Sequence, residues 1–226
     1  MGMEMTEQTH SGYLAIPPSG KGAGVLVLHA WWGLNDFFRD FCDRLAQEGF
    51  VALAPDLFSG EIARTVEEAE QHLSEFNEAQ EAPPIVLSAV EDLHKHPAII
   101  GNGLGVVGFS LGAYWALWIA QQKPAWIRAV TLFYGTNGGG GDFQRCKAAF
   151  LGHFAEKDPY ESVEVIRTLE KNLRGVNRPT TFYTYAGTGH WFCEKDRPDA
   201  YNAQAAQLAW DRTKAFLHEQ LAGVSG

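Results

Sequence analysis

The chain has 226 residues, 46% of them hydrophobic, seven tryptophans and a formal net charge of −9. That length suits one α/β domain with a sizeable core, expected over residues 12–226 behind a flexible stretch at 1–11. The acidic balance argues against nucleic acid or an anionic membrane as partner, because both attract basic surface; no apolar run reaches membrane-span length. The polar N-terminus lacks the basic-then-apolar pattern of a secretory signal. Cys42, Cys146 and Cys193 make no paired framework and no C-x-x-C, so the expected compartment is a reducing cytosol.

Gly12 to Ile16 can form a first strand, stopped by Pro17-Pro18. Ala23 to His29 is an apolar run of the buried-strand type. After the loop Ala30-Trp31-Trp32-Gly33-Leu34, Asn35 is a natural N-cap, with Phe37, Phe41 and Leu45 at helical spacing and Gly49 as terminator. Phe50 to Ala54 is the next strand. Thr65 and Glu68 make a capping box for a helix carrying Val66, Ala69, Leu73 and Phe76, and the glutamates between Glu61 and Glu81 read as its solvated face. A further helix is expected to start at Pro83-Pro84 and to end at His96-Pro97. His94 and His96 diverge on such a helix and read as surface histidines rather than metal ligands.

Leu104 to Ala120 is a short apolar strand, a tight turn and a largely apolar helix, in which Trp115 and Trp118 read as core. Arg128 to Phe133 is another strand, followed by Tyr134-Gly135-Thr136. The four glycines 138–141 read as a flexible loop. Ala148 to Phe154 is expected to be a strand, Pro159 to Arg174 a helix, Thr180 to Tyr185 a strand and Tyr201 to about Leu221 a final helix. Strands alternating with helices predict an α/β protein, with a mostly parallel sheet of about seven strands covered on both faces.

The strand-turn-helix unit contains Gly108-Phe109-Ser110-Leu111-Gly112, a G-x-S-x-G in the context that lifts a serine clear of the backbone. Serine needs a base, and the base needs an orienting carboxylate. Chemistry in this architecture collects at the carboxyl ends of strands. Asp158 and His190 stand just after two late strands, in the Ser…Asp…His order of α/β-hydrolases. Glu156 competes with Asp158; His29 and His153 also end strands, and can line the site or bond backbone there. The backbone N–H groups of Leu111 and Trp31 are the expected oxyanion donors, and Trp32, Tyr134 and Trp191 are candidate substrate-binding walls beside Trp31. Core packing is the plainer role for such aromatics.

VLVLHAWWGLN, FVALAPDLF, VVGFSLGA, FYGT, HFAEKDP, GTGHWF and RPDAYNAQAAQLAWDRTKAFL, spread from about Gly12 to Leu221, resemble the dienelactone hydrolase family. The resemblance implies the α/β-hydrolase fold and a nucleophile-Asp-His triad on Ser110, Asp158 and His190. It also marks departures. Founding members carry a cysteine where this chain has Ser110, and a glutamate that contacts it where this chain has Ala30. An arginine of the founders aligns with Glu194, with Arg197 three residues on, and Arg64 is the one arginine in the segment that supplies their other. Losing cysteine and glutamate together is coherent for a serine-using branch that includes esterases.

The expected function is hydrolysis of small ester or lactone substrates through an acyl-enzyme, as in a carboxylesterase, with no metal or organic cofactor. The alternatives at this point are a non-catalytic small-molecule-binding module on the same fold, or a thioester or peptide-bond hydrolase using the same triad.

Overall fold

The computed structural model describes residues 12–222; the expectation of a flexible stretch at 1–11 lies outside the described residues. Among the described residues there are seven strands: β1 (Gly12–Ala15), β2 (Gly22–Leu28), β3 (Val51–Pro55), β4 (Ile99–Phe109), β5 (Ile127–Phe133), β6 (Ala149–Lys157) and β7 (Thr180–Gly189). They form one sheet in the order β1-β3-β2-β4-β5-β6-β7. Only β1 runs antiparallel, against β3, and the remaining pairs are parallel.

The strands alternate between two cores, as a period of two residues requires. Val25 and Val27 of β2, Ala52 and Ala54 of β3, and Val107 and Phe109 of β4 face α1 (Asp36–Gln47) and α6 (Ala203–Leu221). Leu26, Leu28, Val51, Leu53 and Val106 face the other way, toward α3 (Glu78–Lys95) and α4 (Leu111–Gln122); α5 (Val163–Gly175) covers β7. The strand order reverses between β2 and β4. A crevice opens at the carboxyl ends of strands at such a switch point, and Ser110 follows β4 while the Ala30–Leu34 loop follows β2.

Caps fix several boundaries. Asn35 accepts from the N–H groups of Phe37 and Phe38 at 3.0 and 3.4 Å and starts α1. The Thr65–Glu68 capping box starts α2 (Val66–Glu75). Two expected helix starts move. α3 begins at Glu78, so Pro83 and Pro84 lie inside it rather than at its start. The Glu81 side chain reaches back to the Asn77 N–H at 2.8 Å, and that local bond supports an extra first turn ahead of the prolines. α5 begins at Val163, not Pro159: the Asp158 carboxylate accepts from the N–H groups of Tyr160 and Glu161, forming a separate turn, and Ser162 takes over as the N-cap. Residues 138–141 form an irregular turn tied to α5 by Asn172 Nδ2, which donates to the Gly139 carbonyl at 2.7 Å. His94 stacks on Trp126 at 4.2 Å, and His96 Nδ1 accepts from the Ala98 N–H.

Candidate active site

Ser110 joins β4 to α4 at φ 51° and ψ −112°, a conformation that residues other than glycine avoid. The surroundings hold it there. The Ser110 N–H donates to the Phe133 carbonyl at 2.9 Å. A Cβ on Gly108 would overlap the Gly112 carbonyl, and one on Gly112 would overlap the carbonyls of Leu28 and His29, so β4, α4 and β2 approach closely only because both positions are glycine. Below the turn, Phe109 is fully buried, stacked on Phe133 at 4.4 Å and edge-on to Phe37, Phe38 and Phe41 at 5.0 to 5.6 Å. Burying one such ring contributes about 1.5–3 kcal/mol, so this cluster makes a stiff floor for the strained turn.

The Ser110 hydroxyl donates to His190 Nε2 at 2.8 Å, and His190 Nδ1–H donates to Asp158 at 2.8 and 2.9 Å to its two oxygens. That second contact fixes the tautomer, leaving Nε2 as acceptor. The side chains of His190 and Asp158 are only 4% and 3% exposed, which shields the relay from water. The alternative acid, Glu156, is turned away and accepts from the Gly187 N–H at 2.8 Å. His29 and His153 are fully buried in structural bonds. His29 Nδ1–H donates to the Ala30 carbonyl at 2.7 Å and Nε2 accepts from the Leu57 N–H, tying the β2 and β3 loops together; burial lowers its pKa. His153 bridges the hydroxyls of Tyr185 and Thr213, and burial pushes its pKa down to about 3.

Ser110 and His190 open into a cavity of about 490 Å³ lined by Tyr114, Trp115, Tyr134, Tyr160, Glu78 and Glu161 among others. The expected walls divide. Tyr134 borders this cavity, fully buried with its ring 5.1 Å from His190. Trp191 and the 1%-exposed Trp32 border a second cavity of about 730 Å³, which shares His190 and Tyr160 with the first. Trp31 stacks on Trp191 at 5.9 Å and meets Tyr160 edge-on, so it joins the aromatic wall between the two. Sequence reasoning missed Tyr160, whose ring lies 5.0 Å from His190; its adjacency to Asp158-Pro159 was the available signal. It also missed Glu78, expected on a solvated face, and Glu161, which no local pattern marks.

The dienelactone hydrolase family model matches residues 10–221. The chain belongs to the dienelactone hydrolase family. As a member it is a hydrolase of the ester or lactone type. Among similar proteins, "Protein usf" of Aquifex pyrophilus is 33% identical, with 93% of each chain covered. A Bradyrhizobium protein named "Probable 2-oxo-3-(5-oxofuran-2-ylidene)propanoate lactonase" is 32% identical, covering 96% of this chain and 92% of its own. The crystal structure of a dienelactone hydrolase-like promiscuous phosphotriesterase from metagenomic libraries superposes with a TM-score of 0.79 at 22% identity, covering 89% of this chain and 88% of that one, and shares its fold.

This dienelactone hydrolase family member has no glutamate at the end of β2. Ala30 is there, fully buried. Glu194 is fully buried too, with the Tyr134 hydroxyl donating to Oε1 at 2.7 Å. Burial pushes the Glu194 carboxyl up to about 8. Arg197 covers the Trp32 ring at 3.6 Å and donates to the carbonyls of Ala63 and Arg64. Among the described residues, no group of three His, Cys, Asp or Glu side chains could hold a metal ion, and no helix is long and apolar enough to cross a membrane.

Proposed function

We propose that this chain cleaves small carboxylic esters or lactones through a serine acyl-enzyme. The observation that carries this is the unbroken relay from Ser110 through His190 to Asp158, with both steps at 2.8 Å. Ser110 Oγ attacks the carbonyl carbon while His190 Nε2 takes its proton. The imidazolium that forms faces Asp158. The oxyanion is held by the N–H of Leu111, which as the first residue of α4 has no intrahelical acceptor, and by the N–H of Trp31. The positive end of α4 favours the same charge. The bond to the leaving oxygen then breaks, and that oxygen takes the proton from His190. Water attacks the acyl-enzyme with its proton passing to His190, and collapse releases the acid and restores the Ser110 hydroxyl. For a lactone, the alcohol and the acid end on one molecule.

Tyr134, Trp32 and Trp191 serve as walls around the two cavities, the first on the Ser110 side and the others beyond His190. The substrate is a small molecule, with neither nucleic acid nor membrane as partner and no cofactor. All three cysteines are free and buried, in keeping with a cytoplasmic protein.

Short-chain p-nitrophenyl ester hydrolysis, with wild type beside Ser110→Ala and His190→Ala, tests the reading. Both variants should lose roughly a thousandfold or more in kcat while keeping their folded spectra. Full activity in Ser110→Ala would move the nucleophile elsewhere. Inertness of wild-type Ser110 toward a fluorophosphonate probe would leave a binding module instead.

A further inference from the structure

The charges around Ser110 are one-sided. Two ionisable acids border its cavity, Glu78 and Glu161, and among the described residues no lysine or arginine borders it. Glu161 is anchored: its two oxygens accept from the N–H and the hydroxyl of Thr136, both at 2.8 Å. Burial raises its pKa, the two Thr136 bonds oppose that, and Asp158 and His190 are close enough for their charges to act on it. Glu78 comes from the start of α3, on the other wall, beside Trp115. Tyr114 and Tyr160, 40% and 52% exposed, border the same cavity. Lys157, Arg64 and Arg197 border the second cavity, which shares His190 and Tyr160 with this one.

We propose that Glu78 and Glu161 make the Ser110 cavity selective by charge, so that the part of the ester seated there is cationic in preference to uncharged and uncharged in preference to anionic. This rests on the ester-hydrolase reading above and names its substrate class: an ester whose acyl chain carries an ammonium group. The acids attract it through space, and the tyrosine faces add cation–π contact. A carboxylate in the same place would meet two like charges with no counter-ion on the cavity wall.

The magnitude follows from Coulomb's law. At about 6 Å, even with water-like screening, one carboxylate favours a cation and disfavours an anion by about threefold each. The cation-to-anion ratio therefore changes about tenfold per acid, and about a hundredfold for both.

The test compares kcat/KM at pH 8 and low salt for three p-nitrophenyl esters. Their acyl groups are uncharged 5,5-dimethylhexanoate, its cationic isostere 4-(trimethylammonio)butyrate, and the anionic monoester of adipate. Wild type should prefer the cationic over the anionic ester by about a hundredfold. Glu161→Gln and Glu78→Gln should each lower that ratio about tenfold, and added salt should lower it in wild type. Loss of structure would slow all three esters alike and leave the ratio alone. A wild-type ratio at or below one, or a ratio unmoved by both variants, would overturn the proposal. Calorimetric binding of butyltrimethylammonium against butanesulfonate to Ser110→Ala reads the same preference without turnover. Failure of the hydrolase reading thus remains separate: no ester is cleaved, while the cation still binds better than the anion.

Discussion

Replacing Glu194 by glutamine should lower stability by about 1–3 kcal/mol at pH 5 and recover that deficit as pH rises toward 8. Glu194 is fully buried, and its Oε2 has no hydrogen-bond partner. Burial raises its pKa to about 8, Asp196 acts in the same direction, and the Tyr134 hydroxyl and Arg197 oppose. In the unfolded chain a glutamate titrates near 4.5. Between those values the folded chain binds a proton that the unfolded chain has lost, so stability falls as pH rises. The contribution is fully present below 4.5 and is spent once pH passes about 8. Each pH unit in the window removes about 1.4 kcal/mol, which amounts to about 4 kcal/mol from pH 5 to pH 8. Glutamine keeps an acceptor for Tyr134 and carries no charge. Its unpaired amide adds an offset of about 1–3 kcal/mol that is independent of pH. Urea unfolding of both chains at pH 5, 6, 7 and 8 isolates the slope from that offset. The wild type should lose stability relative to the variant at every step. Parallel pH profiles would refute the reasoning, because they would mean that Glu194 binds no extra proton on folding.

Two further substitutions probe the site. Asp158→Asn can still accept from the Tyr160 and Glu161 N–H groups, but its amide can donate to His190 Nδ1 and so turn Nε2 from acceptor into donor. The expected result is a fall in kcat of roughly a thousandfold or more with little change in unfolding temperature, measured by ester hydrolysis beside a thermal scan. Gly112→Ala drives a Cβ into the backbone carbonyls of Leu28 and His29, which cannot swing aside as a side chain would. It should reduce stability by about 1–3 kcal/mol and lower kcat, read from urea unfolding and the same assay; a fully active and equally stable variant would show that α4 and β2 can move apart freely.

Much of the fold was legible because it is written locally. Val25 and Val27 alternate with Leu26 and Leu28, and that period of two states both that β2 is a strand and that it is covered on both faces. Asn35 and Thr65 mark helix starts with side chains that reach only two or three residues along. The two misplaced starts have the same origin: a nearby side chain outbid the proline signal, Glu81 for α3 and Asp158 for α5. In the site, Ser110 carries its own motif, and Asp158 and His190 could be chosen from chain order and strand ends. Glu161 could not be chosen that way. Its bonds run back 25 residues to Thr136, on the loop after β5, and only the sheet brings those loops together. Glu78 was hidden for another reason. It stands in a run of glutamates whose pattern describes solvent, and the extra turn of α3 carries it to the cavity wall instead.

Those long-range pairings also account for how the site manages its acids. The Ser110 hydroxyl donates to His190, and Ala30, on the loop after β2, is buried and apolar. Asp158 spends its charge on His190 and on two backbone N–H groups. Glu161 is held by Thr136, and so borders the cavity without competing for the imidazole. An ionised acid in the dry position of Glu194 would need a counter-ion that Arg197, engaged with the Ala63 and Arg64 carbonyls, does not supply by a direct contact. Holding the proton removes that need and leaves Glu194 a neutral partner for Tyr134. Tyr134 is itself bent into a positive-φ conformation at 38°, and Trp191, next to His190, at 63°. The Glu194 N–H closes on the Trp191 carbonyl at 2.8 Å while its side chain holds Tyr134. One neutral acid thus ties the strained loop after β5 to the strained loop that carries His190, which is a reason for the chain to keep a glutamate there at all.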